Sequence, residues 1–168
     1  MKNKLVIYTD GSTRIRNQKG ALNKGGYGFV VYNGKDIIDA YGEQVDNTTN
    51  NRMELTAIIK ALEKYGAEYD SWDAPIIYTD SSYVVMSLTQ WIHTWKRDNW
   101  IRPSGHPVEN ADLMKQAYEL LYEKDYYANI IKCPGHSGLE GNELADKLAT
   151  GKITPEEVLK THKSNTEN

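Results

Sequence analysis

Two short apolar runs in this chain stop at an aspartate: LVIYT ends at Asp10, followed by Gly11 and Ser12, and APIIYT ends at Asp80, followed by Ser81 and Ser82. Between them Glu54 lies on the flank of a helix-spaced apolar stripe. If the two strands are neighbours, their terminal carboxylates converge and Glu54 can reach them, with Asp146 available as a fourth. Clustered carboxylate oxygens suit hard divalent ions such as Mg²⁺ or Mn²⁺, whereas one cysteine and four histidines in the whole chain speak against a zinc centre. The same residues have a plainer reading, in which Asp10 caps a turn, Asp80 caps the following helix, Glu54 sits in a first helical turn and Asp146 is solvated. Spacing alone leaves both open.

The elements that must position these groups can be read from periodicity. Residues 5–9 form a strand that exits at Asp10-Gly11-Ser12, and residues 26–32 and 36–42 form a hairpin about Asn33-Gly34. From Asn51 the period changes, with Leu55, Ile58, Ile59 and Leu62 on one helical face that ends before Gly66. Residues 74–79 are a strand, SYVVMSL opens a helix, Asn110 is a candidate cap for the next, residues 126–133 are a strand, and GNELADKLAT is a helix. The order βββαβααβα requires a mixed sheet with helices packed against it, an α/β arrangement. Residues 151–168 hold too few apolar groups to extend the core and are expected to form a polar, partly disordered tail after a domain spanning 1–150.

A length of 168 residues and 39% hydrophobic content fit one domain with one core. The single cysteine, Cys133, excludes an intrachain disulfide, and no apolar run approaches a membrane span, so a cytoplasmic protein without a membrane partner is expected. With 20 basic and 23 acidic residues the net charge is -3, which argues against a protein that holds polyanions by bulk attraction. Residues 11–35 nevertheless hold five bases and no acid. Any nucleic-acid affinity must be local, or must wait for divalent ions to offset the acidic cluster.

Taken together, YTDGS at 8–12, TTNNRMEL at 48–55, YTDSSYV at 78–84, TQWIHTW at 89–95 and PGHSGLEGNELAD at 134–146 resemble the type 1 ribonuclease H family over about residues 4–150. The resemblance implies a ribonuclease H-like fold: a five-stranded mixed sheet, three antiparallel strands first and two parallel strands after, flanked by helices. It implies endonucleolytic cleavage of the RNA strand of RNA–DNA hybrids, leaving 5′-phosphate and 3′-hydroxyl ends. Asp10, Glu54, Asp80 and Asp146 become the metal-binding quartet for two Mg²⁺ ions, with Mn²⁺ as a substitute, and His136 becomes an auxiliary catalytic group in a Gly-bordered loop. Other ribonuclease H-like nucleases, or a hybrid-binding module with little activity, are the alternatives. A free-standing monomer with no obligate protein partner is expected.

The resemblance also assigns the substrate face. Gly11 and Ser12 follow the first aspartate, Thr49 matches a DNA-phosphate pocket residue, and Asn50 and Asn51 match minor-groove contacts able both to donate and to accept. Trp91, Trp95, Lys96, Arg97 and Trp100 resemble a basic protrusion in which aromatics meet sugars and cations meet phosphates. Trp91 is expected to make contact and Trp95 to be partly core. Arg52 reads as structural or phosphate-facing. The chain departs from the familiar bacterial pattern at Thr13, in the basic loop that follows it, and at Ser82, where glutamine is common.

Overall fold

The computed structural model describes residues 4–14, 23–68, 73–133 and 139–166. Strands β1 (Leu5–Arg14), β2 (Lys24–Asn33) and β3 (Asp36–Asp46) are followed by helix α1 (Asn50–Tyr65) and a two-residue strand β4 (Ala67–Glu68). Then come β5 (Ile76–Thr79), helices α2 (Ser82–Met86), α3 (Ile92–Arg97) and α4 (Ala111–Tyr118), strands β6 (Tyr126–Tyr127) and β7 (Asn129–Lys132), and helices α5 (Glu140–Thr150) and α6 (Pro155–Thr166). The main sheet has the order β3-β2-β1-β5-β7. β1, β2 and β3 are antiparallel, and β5 and β7 run parallel to β1 on its other side. This is the α/β arrangement read from periodicity and the ribonuclease H-like sheet that the resemblance implied.

One core lies between the sheet and α1 through α4, where Ile7, Phe29, Leu55, Ile58, Leu62 and Ile77 are buried. A smaller cluster on the opposite face joins Val30, Ile37 and Ala40 to Leu148 of α5 and Val158 of α6. α5 can press against β2 because Gly26 and Gly28 carry no side chain: a Cβ at Gly28 would come within 2.6 Å of Leu148 Cβ.

Local chemistry explains where the elements differ from the sequence reading. β1 does not turn at Asp10 but continues to Arg14, because β2 pairs with it along its whole length, from Leu5↔Asn33 to Arg14↔Lys24. The hairpin loop is Gly34-Lys35, closed by the Asn33↔Asp36 pair, with Gly34 at positive φ in the first loop position rather than the second. The cap of α1 is Thr49, whose Oγ1 accepts the Arg52 N–H at 3.2 Å, so the helix opens at Asn50, one residue before the period read from the sequence. Asn110 precedes α4 in a left-handed conformation without a side-chain cap. Residues 155–166, expected to fray, form α6: Thr154 Oγ1 accepts the Glu157 N–H and donates to the Glu157 carboxylate, each at 3.1 Å, Val158 is buried, and His162 Nε2 accepts the Ile37 N–H at 3.0 Å.

Between α2 and α3 the helix widens into a π turn at Ser87–Trp91. Such a turn loosens the backbone ladder, and there the Leu88 carbonyl accepts the Tyr122 hydroxyl at 2.7 Å. Tyr122 itself lies in a second π turn, Glu119–Glu123, so the two irregular segments brace one another.

Candidate active site

Asp10, Glu54 and Asp80 each place one carboxylate oxygen within 4.8 Å of the others. The parallel register of β1 and β5 does most of this work. Tyr8 pairs with Tyr78, and the same register carried two residues on sets Asp10 across from Asp80. Thr9 Oγ1 donates to the Tyr78 carbonyl at 2.8 Å and locks the two strands just before the acids. Asp80 is free of capping duty, because Ser81 accepts the Val84 N–H and starts α2. Asp10 lies within the strand rather than at a turn, with its Oδ1 accepting the Gly11 N–H at 2.9 Å.

Glu54 arrives from α1, and Gly11 is what lets it come so near. A Cβ at Gly11 would sit 2.3 Å from the Glu54 backbone nitrogen and 2.4 Å from the Met53 carbonyl carbon. Neither is a flexible chain end. Gly11→Ala is therefore expected to push α1 off β1, costing about 2–3 kcal/mol of stability and separating Glu54 from Asp10. A thermal melt together with a cleavage assay checks it, and an unchanged midpoint with full activity would refute this account. Thr79, wholly buried, contacts Glu54 Oε2 through its hydroxyl at 3.4 Å and accepts the Ser81 N–H at 3.2 Å. The sequence reading missed Thr79; a hydroxyl next to a strand-end aspartate was its only signal.

The electrostatics are those of carboxylates without a counter-charge. Asp10 and Glu54 are both 7% exposed, while Asp80 is exposed and opens the cluster to solvent. Among the described residues no ion pair involves any of the three. Burial, then repulsion from its neighbours, pushes Glu54 up to about 10. Burial and Asp80 push Asp10 up to about 7, with Asp146 adding to the effect and the Gly11 N–H opposing it. An all-oxygen donor set that holds protons for want of positive charge fits a divalent metal. Asp146, exposed on α5, is near enough to act on Asp10 but stands outside the group of three. His136 lies outside the described residues, as do residues 15–22 of the basic loop.

Around the acids, Ser12 continues β1, Thr49 caps α1, and Asn50 and Asn51 open it. Asn50 Oδ1 accepts both the N–H and the hydroxyl of Thr13, each at 2.8 Å. Ser82 begins α2 and is exposed. Trp91 is exposed, and Trp95 and Trp100 pack partly against the core. Tyr83, Trp91 and Trp95 form a run of tilted rings along the helix, with centroids 6.5 and 6.1 Å apart. The cations beside them are partly spoken for: Lys96 Nζ is 3.7 Å from Glu123, and Arg97 pairs with Asp98 at 3.1 Å.

Arg52 faces neither metal site nor solvent alone. Its guanidinium makes a two-point contact with Asp112, at 2.7 and 3.0 Å, and reaches Asn110 Oδ1 at 3.3 Å. It thus ties the TTNNR block to the start of α4. Arg52→Ala is expected to cost roughly 1 kcal/mol of stability, since the pair is half open to water. It should also raise KM about fivefold, that energy expressed as affinity, with kcat little changed. Steady-state kinetics decide it, and an unaltered KM would reject the positioning role.

Comparison with known proteins gives a consistent picture. The RNase H family model matches residues 2–154. The chain is 38% identical over 163 residues to ribonuclease HI of Rickettsia conorii, covering 95% of this chain and 98% of that one. It is 39% identical over 157 residues to ribonuclease H of Acidovorax sp. (strain JS42), covering 94% and 98%. Among solved structures it resembles LC9-RNase H1, described as a type 1 RNase H with the type 2 active-site motif, at TM-score 0.72 and 29% identity over 90% of this chain and 72% of that chain. It also resembles the RNase H domain of PFV, solved in solution, at TM-score 0.75 and 27% identity over 90% and 94%.

Proposed function

The chain belongs to the ribonuclease H family and is a divalent-metal-dependent endonuclease that hydrolyses the RNA strand of RNA–DNA hybrids; we propose that Mg²⁺ is its working metal, held by Asp10, Glu54 and Asp80 with Asp146 completing the set. The observation that carries this reading is the convergence of three carboxylates, two of them buried, within 4.8 Å. Bound there, two divalent ions supply Lewis-acid activation of water and charge stabilisation at the leaving oxygen. The protein's part is to hold the donors in place before the ions arrive. Asp10 is fixed by the Gly11 N–H, Glu54 by the Thr79 hydroxyl and the tight α1–β1 packing, and Asp80 by the strand register. Exposed Asp80 and Asp146 leave the ligand set open on the side where a duplex backbone would lie.

In the same reading Thr49, Asn50, Asn51, Trp91 and Trp95 take the duplex, Lys96, Arg97 and Trp100 extend that contact, and His136 assists proton movement or product departure. The protein works as a monomer in the cytoplasm. The test is cleavage of a uniform RNA–DNA duplex by the purified protein with Mg²⁺, with RNA–RNA and DNA duplexes as controls. Cutting confined to the hybrid and stopped by chelator is expected. A protein that leaves the hybrid intact in Mg²⁺ would overturn the reading.

A further inference from the structure

α5 carries Asp146, and most of what holds this helix to the sheet does not say how far along it the helix must sit. Asp10 pairs with Gly28 and Gly28 with Gly42, so these three form one row across β1, β2 and β3, and the next row is Ser12, Gly26 and Gln44. On the first row Leu148 rests on bare backbone, since a Cβ at Gly28 or Gly42 would lie 2.6 or 3.3 Å from its own. At the other end of the helix Gly141 lies so close over Tyr8 that a Cβ there would meet the ring at 2.2 Å. Contacts of this kind are non-directional, so they resist lifting of the helix far more than its sliding.

The directional contact is on the second row, where Gln44 Nε2 donates to the Ala149 carbonyl at 3.0 Å. A carbonyl can only accept, so the amide is turned with its nitrogen toward the helix. The bond crosses Gly26. A Cβ there would come within 2.1 Å of the Ala149 oxygen and 2.6 Å of Gln44 Nε2, so the bare glycine leaves the gap in which amide and carbonyl meet. The chain beyond the helix is engaged elsewhere, because the N–H groups of Gly151 and Lys152 close on the Leu148 and Lys147 carbonyls. Asp146 stands one helical turn before Ala149, near enough to Asp10 to act on its carboxyl. The Thr150 hydroxyl donates to the Asp146 carbonyl at 3.0 Å, so the last turn and the Asp146 backbone move together.

On the reading in which Asp146 completes the metal-binding set, we infer that Gln44 is a positioning residue: its bond to the Ala149 carbonyl across Gly26 fixes the place of α5 along the sheet and so holds Asp146 beside Asp10. The rows of the sheet make the link geometric, since Gln44 is measured from Asp10 by the pairing of β1, β2 and β3. Gln44 touches neither metal nor duplex. It acts through α5 alone.

The experiment uses Gln44→Met, which keeps the length and neutrality of the side chain and removes its donor, alone and combined with Asp146→Ala. Amide hydrogen exchange over residues 147–153 is followed in the metal-free protein. The Mg²⁺ concentration that gives half-maximal cleavage of a uniform hybrid is measured for wild type, both single variants and the double, with enough enzyme that slowed variants are still read. Gln44→Met is expected to speed exchange in that segment and to raise the half-maximal Mg²⁺ concentration, each by about 2–10-fold, the worth of one neutral hydrogen bond. In the Asp146→Ala background the Mg²⁺ shift should vanish, because the change acts only through that carboxylate. Unaltered exchange, an unaltered Mg²⁺ requirement in Gln44→Met, or the same shift with and without Asp146 overturns the inference alone. An Asp146→Ala protein with the Mg²⁺ dependence of wild type, or a wild type that does not cut the hybrid, overturns the parent reading and this one with it.

Discussion

Asp10→Asn is expected to reduce hybrid cleavage by at least ~10³-fold and, in the same sample, to make the metal-free protein more stable. The loss follows from removing a buried ligand oxygen from the centre of the cluster. Charge stabilisation by bound ions is worth several kcal/mol of barrier, and each 1.36 kcal/mol is about tenfold in rate. The gain has the same origin. Asp10 is buried beside Glu54 and within reach of Asp80, with no cation among the described residues to offset it. A neutral amide of the same shape relieves repulsion that the folded chain otherwise carries, an effect of about 2 kcal/mol near neutral pH given how far the carboxyl is pushed up. Urea melts in chelator and in Mg²⁺ separate the two effects. The variant should melt later than wild type in chelator and gain less from the metal. A variant that keeps its activity, or that is destabilised in chelator, would contradict the assignment.

The second large effect is the dependence of metal-free stability and of metal affinity on pH. Glu54 is pushed up to about 10 and Asp10 to about 7, both above the ordinary carboxylate range near 4. Between about pH 4 and those values the folded protein binds more protons than the unfolded chain. Stability without metal must therefore fall as pH rises above about 4, most steeply while the folded state retains both protons, then less steeply once Asp10 has lost its own near pH 7 and only Glu54 still holds one, levelling off toward pH 10. The slope approaches about 1.4 kcal/mol per pH unit for each proton retained. Metal displaces those protons, so affinity rises with pH by up to about tenfold per unit for each one released. Denaturant melts in chelator from pH 5 to 9, with calorimetric titration of Mg²⁺ in two buffers of different ionisation heat, measure both. Stability that climbs over this range, or binding that releases no protons, would show that the cluster is charged before the metal arrives.

Much of this site was legible because the chemistry sits at element ends that periodicity marks well. Asp10 and Asp80 each follow a short β-branched run, and Glu54 rides a helix whose apolar spacing is regular. Their convergence was conditional on β1 and β5 being neighbours, and the parallel register supplied that condition. What escaped were features set by partners distant in sequence. The extension of β1 to Arg14 depends on pairing with β2, the turn of Asn50 depends on Thr13, and the part played by Arg52 depends on Asp112 sixty residues away. α6 was missed because composition counts apolar residues without their positions: Val158 is buried in the second cluster with Leu159 packed against it, and the Thr154 cap and a histidine contact do the rest.

That last helix gives the sheet an asymmetric border. β3 is its outermost strand on one side, and an outermost strand offers backbone groups on which another chain can build. Here the pairing with β2 slips between Val31 and Tyr32, so that Ile38 is displaced from the ladder and points outward. The neighbouring Ile37 N–H is already taken by His162. A foreign strand approaching this side meets an irregular rim whose amide is occupied and whose apolar side chains, Ile37 and Ala40, lie under α6 and α5. The terminal helix thus acts as a selvedge, finishing a free edge of the fabric so that it does not unravel into contact with the next molecule.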